Sequence, residues 1–183
     1  MITTGTFQLP YYIIPLPEHN EIKETLLKLI DEDAGELISD NSHQISKIDY
    51  FLQDKEKKYL PIVMPAIKKA LKSLPIGDVD NYIFNDKFVW YQQYTRFNHH
   101  CFHVHDKTWS MVYYLELDKK SPGTQFKPTL TGEYINLPVV EGDLAVFPGW
   151  IEHRSPPNLS TKRKTIIACD INKNYIGSSK IKY

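Results

Sequence analysis

The sequence predicts a mainly β fold, an antiparallel sandwich or jelly roll braced by helices that come first in the chain. Three observations predict it. Apolar residues at helical spacing are confined to the stretch before Asn81. From Asn81 onward, short runs rich in aromatic and β-branched residues recur. Turn-forming clusters separate those runs at short intervals. Helices followed by strands, with no repeat and no low-complexity linker, read as one domain over 1–183, with 1–80 as a helical support region and 81–175 as the jelly-roll core.

The first helix is expected after Pro15, Pro17 and Asn20. Ile22, Leu26, Leu29 and Ile30 recur every three or four residues, and Glu21 and Glu24 sit in the first turn, where the helix dipole favours acid. A second helix is marked by Leu60, Met64, Ile67, Leu71 and Leu74, starting near Pro61 or Pro65. Lys68, Lys69 and Lys72 line its other side and read as a solvated face. The strand-like runs are 82–84, 88–91, 109–117, 124–126, 134–135, 143–147 and 164–171. Between them lie Ser121-Pro122-Gly123, Thr131-Gly132, Glu141-Gly142-Asp143, Pro148-Gly149 and Pro156-Pro157-Asn158.

Composition narrows the function. The 183 residues hold 22 basic and 22 acidic side chains, a formal net charge of zero, which argues against nucleic acid or an anionic membrane as the main partner. Hydrophobic residues at 42% and aromatics at 13% supply a packed core. No apolar run is long enough to span a bilayer. Cys101 and Cys169 are too few for a disulfide framework, and Met1 to Gln8 shows no export signal, so a reducing cytoplasm is the expectation. Both cysteines read as packed small residues.

The histidines carry the chemistry. Five of the seven are His99, His100, His103, His105 and His153. On a strand, positions 103 and 105 share a face, so their imidazoles can hold one ion from adjacent rungs, with Val104 turned into the packed side. His153 follows a strand that a jelly roll can bring beside them, and three imidazoles leave the other positions of a metal open. Arg163, at the start of the last strand, is expected to turn its guanidinium into the same interior, where the fork suits a carboxylate. His99 and His100 read as solvated loop residues. Trp90, Phe102 and Trp109 read as core, and Trp150 as the aromatic nearest the site.

In that order, His103-Val104-His105, the strand 110–115, Glu141 to Pro148, Trp150 to His153, Pro157-Asn158 and Arg163-Lys164-Thr165 resemble Fe(II)/2-oxoglutarate-dependent dioxygenases. The resemblance is to the small oxygenases of phage and marine bacterial type, with prolyl-hydroxylase-like enzymes more distant, and covers roughly Val89 to Asn172. It implies a double-stranded β-helix holding Fe(II), with 2-oxoglutarate as cosubstrate. It implies His103 as first ligand, His153 as distal ligand and Arg163 as the clamp on the far carboxylate, with Thr165 beside it. Tyr114 matches a tyrosine that touches that carboxylate, and Tyr94 is placed near the iron end of the cosubstrate. The implied reaction is decarboxylation of 2-oxoglutarate to succinate and CO₂ coupled to O₂-dependent hydroxylation of a C–H bond, in the cytoplasm of a bacterial or phage-infected cell.

Position 105 departs from the family, which carries an acid there. Either His105 coordinates, giving a three-histidine site, or the chain bends so that Asp106 supplies the carboxylate. Asp106 is alternatively an acceptor for an imidazole N–H. The same residues also suit a cupin-like metalloprotein that does not use 2-oxoglutarate, or a binding module with a vestigial metal site. The prime substrate and the oligomeric state are not written in the sequence.

Overall fold

The computed structural model describes residues 10–127 and 132–174; the expected leader-free N-terminus and Thr131 lie outside them. In chain order the elements are β1 (Tyr12–Pro15), α1 (His19–Glu32), β2 (Glu36–Ser39), β3 (His43–Ile48), α2 (Leu60–Leu71), a 3₁₀ turn (Val79–Asn81), β4 (Tyr82–Tyr94), β5 (His99–His103), β6 (Trp109–Glu116), β7 (Gln125–Phe126), β8 (Ile135–Asn136), β9 (Asp143–Pro148), β10 (His153–Ser155) and β11 (Lys164–Lys173).

The strands form one antiparallel sheet in the order β1-β9-β6-β11-β4-β3-β5-β10-β7-β8, with β2 on β3. The sheet curls into a jelly roll, because strands far apart in that order touch across its interior. Phe126 of β7 meets Phe147 of β9 at 5.0 Å between ring centroids, and Phe147 meets His153 of β10 at 4.8 Å.

Two cores result, and strand alternation sorts residues between them. On the convex side, Val89 and Tyr91 of β4, Met111, Tyr113 and Leu115 of β6, Leu144 and Val146 of β9, and Ile167 and Cys169 of β11 pack against both helices. On the concave side, Trp90 and Tyr94, Val112 and Tyr114, Ala145 and Phe147, and Ile166 and Ala168 fill the roll. Burial on both faces explains why these strands read as continuous apolar runs instead of alternating ones.

Both predicted helices form. Leu26, Ile30, Val63, Ile67 and Leu71 are the fully buried stripe. Pro61 occupies the first turn of α2, where its missing N–H costs nothing, and Pro65 is accommodated one turn later. The runs at 82–84 and 88–91 are one long strand, β4, whose solvent-exposed middle (Asn85 to Lys87) hid its continuity. The first 80 residues also do more than brace the roll. β3 lies between β4 and β5 and joins the two halves of the sheet. Its polar and apolar residues alternate too briefly to stand out in the sequence.

Ile67 is fully buried where α2 meets the convex face. Ile67→Ala should lower unfolding free energy by about 2–5 kcal/mol, seen as a fall in the urea midpoint with an unchanged m-value.

Candidate metal centre

His103 is the last residue of β5, and His153 is the first of β10, directly opposite it in the ladder. Their rings lie 4.4 Å apart. His105 lies beyond the strand end, so the alternation expected for 103–105 does not apply: Val104 is 59% exposed. His105 is brought in by its own N–H, which donates to the Gly149 carbonyl at 2.8 Å. A side chain at Gly149 would meet the Lys107 carbonyl oxygen at 2.6 Å, so the close approach of these two loops requires glycine. One ligand atom from each of His103, His105 and His153 lies within 4.8 Å of the others.

Each imidazole is held through Nδ1. His103 donates to the Cys101 carbonyl at 2.8 Å, His153 to the Ile151 carbonyl at 2.7 Å, and His105 to the Asp170 carboxylate at 2.6 Å. With Nδ1 carrying the proton, each Nε2 keeps a free lone pair. Asp170 is buried on β11 and also accepts from the Ser110 hydroxyl at 2.6 Å. The indole of Trp90 stacks on His105 with centroids 5.8 Å apart. Burial holds His103 down at about 4 and His153 at about 3, so both are neutral at physiological pH.

A narrow cavity of about 40 Å³ runs from these rings into the roll, past Tyr94, Thr124 and Ser155. At Ser155 stands Lys164, 1% exposed. Its ammonium donates to Ser155 Oγ at 2.6 Å and to the Pro122 carbonyl at 3.2 Å, and lies 4.7 Å from the centre of the Tyr94 ring. Among the described residues no carboxylate pairs with it, and burial lowers its pKa to about 7.

The guanidinium expected in the cavity is not there. Lys164, Ile166, Ala168 and Asp170 share the concave face of β11, so Arg163 and Thr165 face the other way. Arg163 pairs with Glu116 at 2.8 Å and Asp31 at 2.7 Å, and the Thr165 hydroxyl donates to the same Glu116. Asp106 is also outside the cluster, its side chain 92% exposed and paired with Lys107. The carboxylate beside the histidines is Asp170, which a lone acid inside an apolar strand was the only hint of. Tyr94 and Tyr114 do face inward. The Tyr94 hydroxyl donates to Gln92, while that of Tyr114 is hydrogen-bonded to Thr124 Oγ1 at 2.8 Å and accepts the Thr124 N–H at 3.0 Å.

Two further expectations change. His100 is not a loop residue: it lies on β5 and stacks on His103 at 4.1 Å. A bulge in the β5–β10 pairing puts both on one face although their spacing is odd. Trp150 is 55% exposed, and Trp90 is the indole that lines the site.

The fold is that of solved 2-oxoglutarate/Fe(II) oxygenases, which share the jelly roll at low sequence identity. A viral collagen prolyl hydroxylase from Paramecium bursaria chlorella virus-1, solved with 2-oxoglutarate, superposes with a TM-score of 0.62 at 17% identity, over 88% of this chain and 94% of that one. A Trichoplax adhaerens prolyl hydroxylase, solved with a hypoxia-inducible-factor peptide, gives 0.65 at 13% over 89% and 83%. An oxidoreductase of the 2OG-Fe(II) oxygenase family from Burkholderia pseudomallei gives 0.63 at 9% over 88% and 85%. No protein-family model matches the sequence, and no curated protein matches it. No described helix is long and apolar enough to cross a membrane.

The buried imidazoles make a pH prediction. The unfolded chain protonates each histidine near pH 6.5, whereas the folded chain resists to about 4 at His103 and 3 at His153. Unfolding therefore takes up protons in that interval, and stability falls as pH drops through it. Denaturation of chelator-treated protein at pH 7 and pH 4.5 should show the loss, and His153→Gln should reduce it.

Proposed function

We propose that the protein is an Fe(II)- and 2-oxoglutarate-dependent oxygenase in which His103, His105 and His153 hold the iron and Lys164, in place of Arg163, receives the far carboxylate of the cosubstrate. One observation carries the reading. The buried Lys164 ammonium, with no carboxylate partner among the described residues, is bonded to Ser155, which lines the same cavity as the His103, His105 and His153 rings, each with its Nε2 free. An uncompensated buried charge is costly. A dicarboxylate bound at the histidines and reaching Lys164 removes that cost.

The donor chemistry fits. Imidazoles suit ferrous iron, and three donors leave positions for a chelating cosubstrate and O₂. Charge closes as well: a ferrous ion cancels doubly deprotonated 2-oxoglutarate, and the Lys164 ammonium cancels the Asp170 carboxylate. When bound, iron and 2-oxoglutarate supply O₂-dependent oxidation of a substrate C–H bond, with succinate and CO₂ released.

The chain's own part is binding and orientation. The Cys101 and Ile151 carbonyls and Asp170 fix the three ring tautomers. Asp170 makes His105 a stronger donor by accepting its Nδ1 proton, which supplies part of the negative character that an acidic ligand at 105 would have given. Ser155 and the Pro122 carbonyl aim the Lys164 ammonium, and the Tyr94 ring covers it. Trp90 and Phe147 flank the histidines and keep the site dry.

Anaerobic addition of Fe(II) and 2-oxoglutarate should give a visible charge-transfer band in the wild type; its absence counts against the oxygenase. Lys164→Ala should raise the 2-oxoglutarate needed for half the band by about 10–100-fold, the loss of a charge-assisted contact. Arg163→Ala should change it by no more than about twofold. The reverse order would return the clamp to Arg163. His153→Ala should abolish iron binding in calorimetry, and Asp170→Asn should weaken it by about 10–100-fold.

A further inference from the structure

A second cavity, of about 360 Å³, opens outward from the histidines. It shares Trp90, Gln92, His100, His103 and His105 with the inner one, so whatever fills it abuts the candidate iron site. Its outer wall comes from the N-terminal part of the chain, from Ile38 of β2, Ile45 and Ile48 of β3, and Tyr50 and Phe51 just beyond. Aromatic rings run down it in edge-on and stacked contact. Phe51 meets Tyr50 at 5.1 Å, Tyr50 meets Trp90 at 5.1 Å, and Trp90 stacks on His105.

Charge is sparse there. Among the described residues no lysine or arginine lines the cavity. Asp40, the only acid among them, is already engaged: its Oδ1 accepts the Ser42 and His43 N–H groups at 2.7 Å each, and His43 Nδ1 lies 3.2 Å from it. Phosphates, sulfates and carboxylates therefore find no lysine or arginine among the described residues, and a cationic ligand finds only a carboxylate that His43 and Ser42 already hold. The volume falls in the range of small-molecule pockets. β3, in the middle of the outer wall, is paired with β2 on one side and with β4 and β5 on the other, so it offers no open edge to a peptide backbone.

We infer that this outer cavity is the prime-substrate site and that it takes an uncharged, ring-bearing small molecule, held by the isoleucines of β2 and β3 and the Phe51–Tyr50–Trp90 wall. The assignment rests on the oxygenase reading for the word substrate, but the binding itself does not need iron.

A matched pair of probes tests it. N-Phenyl-1-naphthylamine is neutral, and 8-anilinonaphthalene-1-sulfonate carries the same rings with one sulfonate. The neutral probe should bind saturably to the wild-type protein, with energy transfer from tryptophan that falls in Trp90→Phe. It should bind at least about tenfold more tightly than the sulfonate, since the wall has no cation to offset its desolvation. Phe51→Asp, at a position already 61% exposed and so tolerant of change, should weaken the neutral probe by about tenfold. Equal or tighter binding of the sulfonate, or binding indifferent to both Phe51→Asp and Trp90→Phe, overturns the proposal. So does capture of aromatic peptides with no uptake of the free probe. His153→Ala separates the two readings: it should abolish iron binding and keep the probe. Normal probe binding without an Fe(II)/2-oxoglutarate band in wild type sinks the oxygenase and spares the pocket; a band without probe binding does the reverse.

Discussion

Burial on both faces of the curled sheet is the constraint from which the site follows. In the buried stretches of β4, β6, β9 and β11, residues alternate between the helix-packed core and the interior of the roll. A displacement of one position along such a strand exchanges the two environments entirely. In β11 that rule sends Lys164 and Asp170 inward and Arg163 and Thr165 outward. The inward lysine meets a hydroxyl, a carbonyl and a ring, but no carboxylate. The outward arginine meets two acids and is content as a surface tie between β11, β6 and α1. Under the proposed function, the anion missing beside this lysine comes with the ligand.

The histidines show the same division between what holds a group and what leaves it available. Every Nδ1 is bonded to protein, two to carbonyls and one to a carboxylate, so every Nε2 is unencumbered. The three rings reach one point by different routes. Two come from a paired rung of β5 and β10. The third comes from a loop clipped to Gly149 and tied to β11 through Asp170. The cluster thus spans the two halves of the roll, and the inner and outer cavities meet at it. The inner one is lined by Arg154 and by Ser155, which holds Lys164, whereas the outer one has an apolar and aromatic wall with no lysine or arginine among the described residues.

Much of this was legible beforehand. Both helices announced themselves through Leu26, Ile30, Ile67 and Leu71 at helical spacing, because one side of each packs and the other is wet. The later strands announced themselves through β-branched and aromatic runs between turns. β2 and β3 did not, being short and mixed in polarity, and so the outer wall of the second cavity went unseen. His103, His105 and His153 were visible as a constellation. His100 was not, since a bulge, which leaves no mark in composition, places it beside His103.

The sequence by itself determined the class of fold, the helices that brace it and the three imidazoles, because these depend on residue type and local period. Only the tertiary structure decided which basic residue enters the roll and which carboxylate serves the histidines. Lys164 and Arg163 are adjacent, as are the apolar residues around them, and a strand buried on both sides carries no alternation from which to tell inside from outside. The sequence put forward Asp106 as the acid at the site and did not single out Asp170. The difference lay in position: one sits on an exposed loop against Lys107, the other on a central strand within reach of His105.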